Sequence, residues 1–166
     1  MKSIAVLVTS GYEFRIYLSS LDKSKERLGI ITHLVPNQKI TTDSFRSKAK
    51  TIFLEDIKKL FLYLEKHLNN ELKHELPVFM GYDCAYKIQA LLGTGVCNSN
   101  TSVNSTSINE EDAFTIRCLV NVGNMKNISC TEYFGGESVV TVENCRKFID
   151  SLKGIYLESK KIDSYC

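Results

Sequence analysis

The chain has 166 residues, 43% of them hydrophobic and 24% charged, with 21 Lys and Arg against 19 Asp and Glu. These proportions exclude a disordered, collagen-like or fibrous chain, and a net charge of +2 is too small to make the whole surface a nucleic-acid footprint. The length suits one domain, 1–166, around one core.

The start, Ile4 to Val8, is continuously apolar but too short for a secretory h-region, and Glu13 and Arg15 follow it closely. No run approaches the length of a membrane span, so the expected location is the cytoplasm, with no membrane contact. Residues 4–8 read as a buried strand. Tyr12, Phe14, Ile16 and Leu18 alternate with Glu13, Arg15 and Tyr17 as in a second, half-exposed one, Gly11 lying in the turn between them. Ile30 to Val35 reads as a further strand ended by Pro36-Asn37, and 37–50 as a polar, basic connection.

The strongest helix signal runs over 54–72, where Ile57, Leu60, Phe61, Leu64, Leu68 and Leu72 recur at three- and four-residue steps. Glu55 and Asp56 complement the positive end of the helix dipole. After a short strand at Val78-Phe79-Met80, Asp83 is expected to cap a helix over 84–92 that Gly93 ends. Residues 96–111 are dominated by Asn, Ser and Thr and read as a polar, irregular loop.

Phe114, Ile116, Cys118, Val120 and Val122 alternate with polar residues, which predicts a long strand over 113–122. Strands at 128–134 and 137–141 are expected to pair across a Gly135-Gly136 turn. Thr141 then caps a second amphipathic helix over 142–157, whose stripe is Val142, Cys145, Phe148, Ile149 and Leu152. The segments 52–60 and 140–148 match class by class, which either a duplication or a shared packing solution explains. The expected fold is α+β, or α/β: a mainly antiparallel sheet packed against two long amphipathic helices.

Reactive chemistry has few candidates. Cys84, Cys97, Cys118, Cys130, Cys145 and Cys166 show no C-x-x-C spacing, and Cys118 and Cys145 fall where the apolar pattern wants a small hydrophobe. The expectation is core thiols rather than disulfides, with neither a metal nor a cofactor. His33, His67 and His74 accompany no nucleophile motif, and Gly93-Thr94-Gly95 lacks the third glycine of a dinucleotide fingerprint. This profile favours a protein that works by binding over an enzyme.

Thr51-Ile52-Phe53-Leu54-Glu55-Asp56-Ile57-Lys58-Lys59-Leu60, an extended run into an acidic-start amphipathic helix after a strand-rich beginning, resembles the small immunity proteins of bacterial polymorphic-toxin and contact-dependent growth inhibition systems. The resemblance implies an antitoxin that binds and neutralises the C-terminal toxin domain of a cognate secreted or surface protein, often a basic nuclease such as an RNase, without itself contacting nucleic acid. It transfers no individual residue. Charge supplies candidates independently: between Ser105 and Cys145 the acids Glu110, Glu111, Asp112, Glu132, Glu137 and Glu143 meet only Arg117 and Lys126. Glu110, Glu111, Asp112, Glu132 and Glu137 are the expected electrostatic surface, with Tyr133 and Phe134 as aromatic anchors. The alternative is a small enzyme or ligand-binding module whose pocket gathers residues from distant segments.

Overall fold

The computed structural model describes residues 3–22, 26–39, 41, 43–70, 74–93, 112–123 and 132–161. Strands β1 (Ser3–Val8), β2 (Tyr12–Asp22) and β3 (Arg27–Pro36) form an antiparallel meander, which β4 (Phe45–Arg46) and β5 (Lys50–Phe53) complete by pairing successively with β3. Helix α1 (Leu54–Asn69) follows β5 directly. A second meander, β6 (Phe79–Met80), β7 (Tyr86–Gly93), β8 (Ala113–Asn121) and β9 (Tyr133–Thr141), runs into α2 (Val142–Lys161). The fold is α+β, with two antiparallel sheets and two helices around one core.

Alternation accounts for the strands. Along β8, Phe114, Ile116, Cys118 and Val120 are buried while the residues between them are partly exposed, and β2 and β3 repeat the pattern through Phe14, Ile16, Leu28 and Ile30. The inner faces of the two sheets meet where the Phe14 and Tyr86 rings pack edge to face at 5.9 Å. The helices close the same core: Phe148 of α2 lies 6.4 Å from Phe14, and α1 buries Ile57, Leu60, Leu64 and Leu68. Asp56 secures the start of α1 by accepting the Phe53 N–H at 3.0 Å.

The matched segments at 52–60 and 140–148 occupy equivalent places. Leu54 N donates to Glu26 O and Val142 N to Asp112 O, each at 2.8 Å, so each helix starts beside the first residue of its sheet's third strand. Arg27 pairs with Phe53 as Ala113 pairs with Thr141. Both sheets also break register at the same point, after the pairs Leu18–Ile30 and Ala90–Ile116. The chain is thus two units of one order, a meander running into a helix, in which β4 and β5 of the first together take the place of β9 in the second and Phe14 matches Tyr86.

Two expected elements differ. Residues 84–92 form no helix: Asp83 (φ 58) and Cys84 (φ 51) are left-handed residues of a tight turn, and the chain continues as β7. Burial of Tyr86, Ile88 and Ala90, with Lys87 and Gln89 on the other side, is a two-residue period that the ladder to β8 enforces. Gly135 and Gly136 make no turn either, because both lie inside β9, paired with Leu119 and Cys118. A Cβ at Gly135 would stand 1.9 Å from the Cys118 carbonyl oxygen, so the glycine serves a close backbone approach. The expected loop over 96–111 lies outside the described residues, as does most of the strand expected over 128–134.

Candidate functional site

The second sheet turns one face to the core and the other outward. In strand register, Gln89, Arg117 and Glu137 stand side by side across β7, β8 and β9. Arg117 donates from Nη1 to Gln89 Oε1 at 2.8 Å and from Nε to Glu137 Oε1 at 3.0 Å, which completes an Arg–carboxylate ion pair. In the next row Lys87 pairs with Leu119 and Leu119 with Gly135; with no side chain at Gly135, the Lys87 ammonium lies over the Tyr133 ring, 4.1 Å from its centroid. A hollow of about 370 Å³ opens beside these rows, lined by Val78, Met80, Lys87, Ile88, Gln89, Arg117 and Leu119.

Tyr133 is fixed from both sides. Its hydroxyl donates to the Cys84 carbonyl at 3.1 Å, which Asn121 Nδ2 also reaches at 3.0 Å, so two side chains hold the left-handed turn in place. Burial, then the neighbouring Cys84, pushes the Tyr133 phenol up to about 12. The phenol therefore stays neutral, and the ring is partly exposed.

The seven expected site residues are not gathered into one patch. Glu110 and Glu111 lie outside the described residues. Asp112 precedes β8 and Glu132 precedes β9, at opposite ends of the same ladder: Val142 N reaches the Asp112 carbonyl, whereas Val122 N reaches that of Glu132. The strands between them span about 30 Å at roughly 3.4 Å per residue. Tyr133 and Glu137 share the outer face, whereas Phe134 points to the opposite side of β9 and stacks on Phe45 at 4.0 Å. Glu137 is half-exposed but already paired with Arg117, so its charge is largely spent within the sheet. Sequence reading missed Met80, Lys87 and Leu119 because Lys87 was assigned to a helix. The cross-strand proximity of Lys87 and Tyr133 had no signal in one dimension.

Potentially reactive groups are held quiet. Burial pushes the Cys118 and Cys145 thiols up to about 12, so both stay protonated and serve as core hydrophobes. His67 is fully buried in the last turn of α1, its ring 4.6 Å from Phe114 and neither nitrogen hydrogen-bonded among the described residues. Cys97, Cys130 and Cys166 lie outside the described residues. No helix among the described residues is long and apolar enough to cross a membrane. No family model matches this chain, and no curated protein matches it.

Proposed function

We propose that this protein is an immunity protein that binds and neutralises the toxin domain of a cognate secreted or surface protein, docking through the outer face of β6–β9. The reading rests on the family resemblance at 51–60 and on one structural observation that supports it. Of the eight exposed large apolar side chains among the described residues, Met80 and Val139 stand on this outer face and Val78 lines the hollow in it. Val78 and Met80 border the hollow beside Tyr133, and charged or amide side chains rim it. A desolvated aromatic and apolar centre within a polar rim is the arrangement from which protein interfaces draw most of their energy.

The occupant is a basic nuclease domain. Glu132, exposed next to Tyr133, is the acidic group at the rim near β9 that complements a cationic substrate-binding surface. The test is neutralisation by the purified protein. The C-terminal domain of a large secreted protein encoded beside this one is assayed for nuclease activity against increasing amounts of the protein. Inhibition complete at one equivalent supports the reading. Full activity in excess of the protein, without a complex on size exclusion, contradicts it.

A further inference from the structure

The first sheet carries a different chemistry on its outer face. Arg15 of β2 pairs with His33 of β3, and His33 pairs with Arg46 of β4, so three basic side chains stand in one row across three strands. Directly opposed like charges weaken a sheet. The His33 imidazole registers the crowding: burial first, then Arg15 and Arg46, hold it below its ordinary range. The fold does not require such a row, because the equivalent positions in the second unit are Lys87, Leu119 and Gly135.

Arg15 is positioned rather than exhausted. Its Nε and Nη2 donate to Glu13 Oε2 at 2.8 and 2.5 Å, and its Nη1 donates to the Tyr17 hydroxyl at 3.3 Å. A guanidinium has five N–H donors, so one remains on each terminal nitrogen. The Tyr17 ring packs beside His33 at 6.3 Å. Against Arg15 opens a hollow of about 400 Å³ with apolar walls at Val8, Val35 and Pro36, polar groups at Thr9, Tyr12, Asn37 and Gln38, and the Glu13 carboxylate, whose charge the Arg15 ion pair offsets.

We propose that this face is a binding site for a small phosphorylated molecule, its phosphate seated across Arg15, His33 and Arg46 and the rest of the ligand in the adjoining hollow. A phosphate dianion offers several oxygens to donors converging from neighbouring strands, and guanidinium groups match it in charge and geometry. Glu13 keeps Arg15 aimed without occupying its last two donors. The site is separate from the proposed docking face and does not depend on it.

The test follows the ring resonances of His33 by NMR as pH is varied, in inorganic phosphate and in chloride at equal ionic strength, with His74 as the reference. Bound phosphate favours the imidazolium, so the His33 midpoint rises in phosphate while that of His74 does not. A nucleoside monophosphate, which also fills the hollow, binds more tightly than inorganic phosphate. Arg46→Gln, at an exposed position, weakens both by about tenfold, the loss expected for one charge-assisted hydrogen bond. An unchanged His33 midpoint in phosphate overturns the proposal. So does citrate acting as strongly as phosphate, which would mark a diffuse cationic surface. Tighter binding of a short oligoribonucleotide than of the monophosphate overturns it in favour of a polynucleotide face.

Discussion

His67 illustrates how burial alone sets a property at the scale of one residue. Burial holds its pKa below the ordinary value, and only the backbone near His74 acts the other way. The folded protein therefore binds fewer protons there than the unfolded chain, whose histidine titrates near about 6.5. The stability tied to a neutral His67 is intact above that value and is lost as pH falls below it. We expect the urea midpoint of the wild type to drop between about pH 7.5 and about pH 5, and His67→Leu to drop less; equal drops in the two proteins would show that His67 contributes nothing. Two tyrosines make a sharper pair. The Tyr12 hydroxyl donates to the carbonyls of Ile116 and Gly136 at 3.1 and 3.0 Å and so ties β2 to the second sheet, whereas the equally interior Tyr86 hydroxyl has no partner among the described residues. Tyr12→Phe should cost about 1 kcal/mol, and Tyr86→Phe should be neutral or stabilising by up to about 1 kcal/mol, read from equilibrium denaturation. The core roles of Cys118 and Cys145 were legible from strand alternation and from helical spacing respectively, because a thiol on an apolar stripe needs no further information. The opposite orientations of Tyr133 and Phe134 were not, since a strand boundary is required before neighbouring residues can be assigned to faces.

At the scale of elements, long periodic segments were read correctly and short ones were decided by tertiary contacts. Helix α1 follows from its stripe, and β8 from nine residues of alternation. β7 was misread because Asp83 resembles a cap and Leu91-Leu92-Gly93 resembles a helix end. The burial of Tyr86 against Phe14 and Phe79 settles the matter, and that information lies in other strands. The glycine pair was misread for a related reason. A double glycine permits a turn but equally permits a backbone to pass close to its neighbour, and β9 uses Gly135 in the second way. Gly135→Ala should therefore destabilise by roughly 1–3 kcal/mol through forced displacement of β8, whereas Gly136→Ala, with nothing within 4 Å of the added Cβ, should change stability little. Thermal denaturation of the two variants separates these cases, and equal losses would contradict the close approach.

At the scale of the whole molecule, the nine-residue similarity visible in sequence marks only the strand-to-helix junction of a larger correspondence. The shared register break and the matched helix starts are invisible in composition because the two units conserve backbone geometry while their surfaces differ. One unit presents the Arg15–His33–Arg46 row and the other presents Tyr133, Met80 and the Arg117–Glu137 pair. The expected acidic surface was inferred from closeness in sequence, and the antiparallel ladder separates Asp112 from Glu132 by its full length. The aromatic anchor at Tyr133 keeps its place in the account, and the charges that matter become those beside it.

The central claim is that the outer face of the second sheet contacts the toxin domain, and binding kinetics with Tyr133→Ala, Glu132→Lys and Asp112→Lys test it most directly. Loss of a buried aromatic anchor costs on the order of 2 kcal/mol, so Tyr133→Ala should speed dissociation by more than about tenfold with little change in association. Glu132→Lys should slow association most at low salt, and Asp112→Lys, at the far end of the ladder, should leave both rates as in the wild type. The contradicting result is a complex that dissociates at the wild-type rate without the Tyr133 ring.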